Sequence, residues 1–92
     1  MDDDAPPQDF SPPQQALWWL KQGDFKLGPD WDAAHAICQT AEGTHDYDLV
    51  HALAHWIEGD TGNRDYWHAR VGKTKRADTI AAEWKRISAI VG

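Results

Sequence analysis

The chain has one cysteine, Cys38, among 92 residues, and this scarcity limits both its fold and its setting. A single thiol cannot form an internal disulfide, so the fold must depend on a hydrophobic core. Proteins without disulfides are typical of a reducing compartment. We therefore expect this protein to be cytoplasmic.

Other features are also missing. No apolar run approaches the roughly 20 residues that cross a bilayer, and the first residues are acidic rather than basic. We therefore predict neither a membrane span nor a signal peptide. No segment alternates β-branched with polar residues, so no strand is predicted. Because no CxxC pair, glycine-rich phosphate loop or serine elbow occurs, a non-catalytic protein is favoured over an enzyme.

Positive charge is scarce, since 9 Lys and Arg face 15 Asp and Glu. The folded part therefore lacks the basic face that a nucleic-acid partner requires, and we expect no such partner. Several of the acids stand in residues 1–12, which are also rich in proline. We predict that residues 1–12 form a disordered or extended tail, to which Phe10 is the natural anchor. Residues 13–92 then form a single helical domain.

What the sequence does contain is a series of helical segments separated by glycines. The first helix is predicted to begin near Ser11 and to end at Gly23, since glycine is common just after a helix. The second is predicted to be capped by Asp30 or the next residue and to run to about Glu42. Its apolar residues recur at helical spacing.

Two further helices are predicted to end at Glu58 and at Ala69 or Arg70, with Gly72 stopping the latter. The last helix has one apolar face with spacings of three and four residues. This face consists of Ala77, Ile80, Trp84, Ile87 and Val91. The chain is therefore predicted to be all-α, with about five helices.

Two segments of the chain resemble each other. The run "ALWWLKQGD" matches "ALAHWIEGD", and "DAAHAI" further on matches "DYWHAR". Each segment fits a helix, a tight turn and a second helix, and such hairpins stack to bury their apolar faces. We predict two stacked, tetratricopeptide-like hairpins with the C-terminal helix capping the exposed edge. Chance similarity between two amphipathic hairpins is the alternative.

The runs "WDAAHAICQ", "YDLVHALAHWIEGDTGNRDYWHARVGK" and "EWKRI" resemble a family of small, largely uncharacterised bacterial proteins. The resemblance covers roughly residues 13 to 87, and the middle run is its specific part. Members usually have a basic residue where this chain has Trp56, and a tyrosine where it has His68. The resemblance implies a helical, repeat-like fold but no activity.

The third helix has two different sides. Residues three, four and seven apart share a helix face, so His51, His55 and Glu58 lie together, with Tyr47 beside them. The opposite side is apolar and consists of Leu49, Leu53, Trp56 and Ile57. We predict a small interaction or scaffold module that binds a protein or peptide in a groove. A homodimer is one form of this hypothesis.

The predicted partner-binding residues include Tyr66, Trp67 and Arg70 at the rim of that groove, because such residues often anchor interfaces. The groove itself would be lined by Tyr47, His51, His55 and Glu58. Trp18 and Trp67 lie off the most apolar direction of their helices, so they are the tryptophans best suited to a binding surface. The other four, Trp19, Trp31, Trp56 and Trp84, are predicted to belong to the core.

A metal-binding protein is the alternative, and a metal-dependent hydrolase is one version of it. If the second and third helices pack together, His35 and Cys38 can face His51 and His55. Imidazole and thiolate groups suit zinc or another divalent transition metal. The run "HALAH" is not the zinc-protease motif HExxH, because alanine replaces the glutamate. A buried polar network that fixes the register of the two helices is the remaining interpretation.

Overall fold

The computed structural model describes residues 5–70 and 77–91, and in these ranges it contains helices and no strand. The all-α prediction is confirmed. The five helices are α1 (Pro12–Gln22), α2 (Pro29–Gln39), α3 (His45–Glu58), α4 (Thr61–Arg70) and α5 (Ile80–Val91). None of these described helices has the length and apolar character needed to cross a bilayer.

Most helix ends follow from local signals. Ser11 and Gln14 form a capping box, in which each side chain accepts a hydrogen bond from the other's backbone N–H. Gly59 ends α3 with φ of 85°, a left-handed conformation that glycine adopts without steric cost. The predicted stop at Gly72 lies outside the described residues.

Helix α2 differs from its prediction at both ends. It begins at Pro29, after Gly28, and Asp30 lies within its first turn instead of capping it. It ends at Gln39, not near Glu42, because the N–H of Thr40 bonds to the Ile37 carbonyl three residues back. Such a tightened last turn closes a helix by satisfying its free carbonyls.

The first four helices form two hairpins, and α3 of the second hairpin is the central helix of the fold. Helix α1 packs on α2 and α3 packs on α4, and the hairpins meet where α3 contacts both α1 and α2. Every residue from 48 to 55 in α3 is buried. The side of α3 that carries the histidines is therefore covered by other helices, although its composition is polar.

Helix α5 packs against α1 and α3, the first helix of each hairpin. Ile87 is fully buried there, and the Trp84 Nε1–H donates a hydrogen bond of 2.8 Å to the Leu17 carbonyl. Among the described helices, α4 contacts α3 alone. The C-terminal helix therefore packs across the first helices of both hairpins.

At the start of α5, side-chain oxygens accept hydrogen bonds from backbone N–H groups. The Thr79 hydroxyl accepts a hydrogen bond from the Ala82 N–H, which makes Thr79 the N-cap. The buried Glu83 accepts a hydrogen bond from the Ala77 N–H and pairs with Arg86. The predicted apolar face is correct, but Ala77 precedes the helix.

Candidate metal centre

Three imidazoles meet between α2 and α3. His51 and His55 are one turn apart on α3, and His35 approaches them from α2. The Nε2 atoms of His51 and His35 are 3.1 Å apart. One ligand nitrogen from each of the three histidines lies within 4.8 Å of the other two. The three rings, hereafter the histidine centre, are thus close enough to share one bound ion.

Trp31 positions His35, which lies one turn further along α2. The Trp31 Nε1–H donates a buried hydrogen bond of 2.8 Å to the Ala54 carbonyl of α3. The Trp31 ring then stacks on His35, with ring centroids 4.7 Å apart. This contact fixes the register of α2 on α3, so that His35 lies opposite His51 and His55.

Trp67 of α4 covers the other side of the centre. Its indole stacks on His51, with centroids 4.2 Å apart, and His51 in turn stacks on His55 at 4.8 Å. His51 is only 2% exposed as a result. The centre is therefore walled by Trp31 on α2 and Trp67 on α4.

His55 has a partner that orients it. Its Nδ1 forms a short hydrogen bond with the Glu58 carboxylate one turn later. Because a carboxylate only accepts, this contact places a proton on the Nδ1 of His55, so that in the neutral ring the lone pair is on Nε2.

Burial keeps His51 and His35 uncharged at neutral pH. Burial, followed by the nearby His55 and His35, lowers the pKa of His51 to about 4. Burial and His55 also lower the pKa of His35. Neutral imidazoles have the free lone pair that binding to a metal requires.

His51 also has an unsatisfied atom. Its Nδ1 is buried and has no hydrogen-bond partner. An unpaired buried polar atom costs about 1–3 kcal/mol, so a fold would not be expected to keep one without a reason.

Cys38, predicted as a further metal ligand, lies outside the histidine centre. It is 1% exposed within the apolar core, and burial, followed by Asp48, raises the pKa of its thiol to about 12. The thiolate that metals bind is therefore not populated at neutral pH.

The predicted partner-binding residues lie in two different environments, which the contact between Trp67 and His51 connects. His51 and His55 are 2% and 8% exposed, so they form an interior centre and not the open wall of a groove. Glu58 orients His55, and Tyr47 is half-buried in the first turn of α3. Tyr66, Trp67 and Arg70 do lie together on α4, with the Arg70 guanidinium 5.6 and 5.4 Å from the two ring centroids.

Trp31 was predicted as a core residue and not as a wall of the site. It is buried as predicted, but its ring also supports His35. Its position four residues before His35 was the available signal, since residues at this spacing contact each other on a helix.

Comparison with known proteins returned no match among family models, curated proteins or solved structures. The resemblance to a bacterial family therefore stays a prediction, and the side chains themselves are the basis for any assignment of function.

Proposed function

We propose that this protein binds one divalent transition-metal ion through His35, His51 and His55. The observation that supports the proposal is the convergence of three ligand nitrogens within 4.8 Å of one another. Two of these side chains come from one face of α3 and one from α2. The site therefore requires the folded hairpin pair and not a local sequence motif.

The spacing of the ligands suits coordination. The two Nε2 atoms of His35 and His51 are 3.1 Å apart, and two nitrogens on a tetrahedral ion with bonds near 2.05 Å would be about 3.3 Å apart. Small rotations of the rings would bring the lone pairs onto a common ion. Without an ion, the two nitrogens can share only one proton between them.

The surroundings favour a cation. Metal-bound histidines usually donate their other N–H to a carboxylate, and Glu58 occupies that position relative to His55. The charges of Glu58, Glu42 and Asp32 all act at His35 to raise its pKa, against the larger effect of burial. A negative field of this kind attracts divalent ions to the site.

The ligand type indicates the metal. Three imidazoles without a thiolate suit zinc, copper, nickel or cobalt, while magnesium and calcium prefer oxygen ligands. Three protein ligands also leave a fourth position for water, as in catalytic zinc sites. A metal-dependent hydrolase is accordingly an alternative form of this proposal.

The test uses protein purified without a histidine tag. Zinc and cobalt are titrated by calorimetry, and cobalt coordination is followed by its visible absorption. We expect one ion per chain and a zinc-dependent rise in melting temperature that chelator reverses, because bound metal stabilises the folded state. His35→Gln should weaken binding at least tenfold, while His45→Gln, at an exposed histidine paired with Asp46, should not. Equal binding by both variants, or no binding by the natural chain, would refute the proposal.

We also propose a second function, binding of a protein or peptide at the exposed side of α4. The observation in its favour is Tyr66, which is 53% exposed with the Arg70 guanidinium over its ring. Tyrosine, tryptophan and arginine are the common anchors of interfaces. A second copy of the chain is the simplest partner of this kind.

Sedimentation equilibrium and peptide-library selection test this second function. Tyr66→Ala should abolish self-association or peptide capture. Ile90→Ala, which removes an apolar side chain of similar exposure (45%) on α5, should leave them intact. If both variants behave like the natural chain, α4 is not a binding surface.

A further inference from the structure

An open groove between α1 and α5 has a volume of about 560 Å³. It shares no residue with the histidine centre and is therefore a separate candidate site. Cavities of roughly 300–1,000 Å³ are typical of small-molecule sites. The groove is therefore large enough for a compact organic ligand.

Aromatic side chains form its walls, and a hydrogen bond holds one of them, Trp84, in place. Trp84 of α5 is fixed to α1 by its bond to the Leu17 carbonyl. Phe10 also lines the groove, and the Gln15 side chain donates a hydrogen bond of 2.8 Å to its backbone carbonyl, which positions the backbone of Phe10. Trp18 supplies a further apolar surface from α1. A ligand would therefore meet a preformed apolar site, which reduces the entropic cost of binding.

The charge in the lining of the groove is positive. Lys21 is its one charged side chain among the described residues, and its ammonium lies 4.8 Å from the centroid of the Trp84 ring. The other polar groups of the lining, including Ser88, are neutral. Because no acidic side chain lines the groove, the Lys21 ammonium favours an anionic ligand there over a neutral one.

We propose that this groove binds a small amphipathic carboxylate. Its flat apolar body would lie against Trp18 and Trp84, and its carboxylate would pair with Lys21. This chemistry accounts for both the aromatic walls and the position of the ammonium. An uncharged apolar compound would contact only the aromatic side chains and would form no ion pair with Lys21.

The test compares naphthalene-2-carboxylate with 2-naphthamide, which has the same ring system without the charge. Calorimetry of the natural chain should show tighter binding of the carboxylate, by about two- to fivefold for a partly exposed ion pair. Lys21→Gln should remove this preference. Lys26→Gln should retain it, because Lys26 pairs with Asp24 in the loop after α1, outside the groove.

A second variant tests the location. Ser88→Trp places a large side chain in the groove and should reduce binding of both compounds at least tenfold, with folding checked by its thermal melt. No binding by the natural chain, equal affinity for the two compounds, or a preference that survives Lys21→Gln would each overturn the proposal. Unchanged binding by a folded Ser88→Trp variant would do the same. If that variant does not fold, the two lysine variants still decide the question.

Discussion

The indole of Trp67 on α4 stacks on the imidazole of His51 on α3, with their centroids 4.2 Å apart and their planes 22° from parallel. This contact joins the exposed aromatic surface of α4 to the histidine centre. His51 is buried because α4 and α2 place the rings of Trp67 and His35 against it, and not because its own helix is apolar at that position. The properties of the centre therefore depend on a residue from the neighbouring helix.

Trp67→Leu should expose His51 and raise its pKa from about 4 towards the ordinary value of 6.5, since burial is the main cause of the shift. NMR titration of the imidazole C–H signals measures this pKa directly. We also expect the free energy of unfolding to fall by about 1–3 kcal/mol, because a half-buried ring is truncated. Trp18→Leu, at a half-buried tryptophan outside the centre, should leave the pKa of His51 unchanged. An unshifted His51 in the Trp67 variant would contradict the proposed role of this contact.

The metal-free protein should lose stability as the pH falls from about 6.5 to about 4. Over this range an unfolded His51 takes up a proton, while the folded one, with its pKa near 4, does not. The unfolded state therefore binds more protons, and the free energy of unfolding increases with pH. The full contribution is present above pH 6.5 and amounts to at most about 3 kcal/mol. Urea unfolding at several pH values measures it, and His51→Gln should flatten the curve in this window. A parallel curve for that variant would mean that other groups cause the loss.

Glu58→Gln should weaken zinc binding by about 10- to 100-fold, as expected for a carboxylate that orients a metal-bound histidine. The side chain is 28% exposed, so the substitution should leave the fold intact. Glu42→Gln is the matched control, because Glu42 also acts electrostatically on His35. Calorimetry on the three proteins separates the two effects. Equal losses in both variants would show that Glu58 acts only through its charge.

Cys38→Ala should leave zinc affinity unchanged, because the thiol lies in the apolar core outside the histidine centre. The free energy of unfolding should fall by about 1 kcal/mol through lost packing. In the natural chain, burial raises the pKa of the thiol to about 12, so iodoacetamide should modify it only after unfolding. Mass spectrometry with and without urea tests this. Rapid modification of the folded protein, or a loss of zinc binding by the variant, would restore Cys38 as a candidate ligand.

Local chemistry determined much of this fold from the sequence. Ser11 and Gly59 mark helix ends because capping and left-handed backbone are properties of single residues and their neighbours. The face of α5 that contains Trp84 and Ile87 is visible in the spacing of its apolar residues.

The tertiary structure decided which residues of the other helices contact each helix face. Helical spacing shows that His51 and His55 share a direction and that His35 can face them if α2 packs on α3, but it does not show that Trp67 covers them. In the same way, His35 and Cys38 are three residues apart on α2, yet only His35 reaches the centre. The 100° turn between successive helix residues sets which side chains share a face, whereas the packing of one helix on another sets their partners.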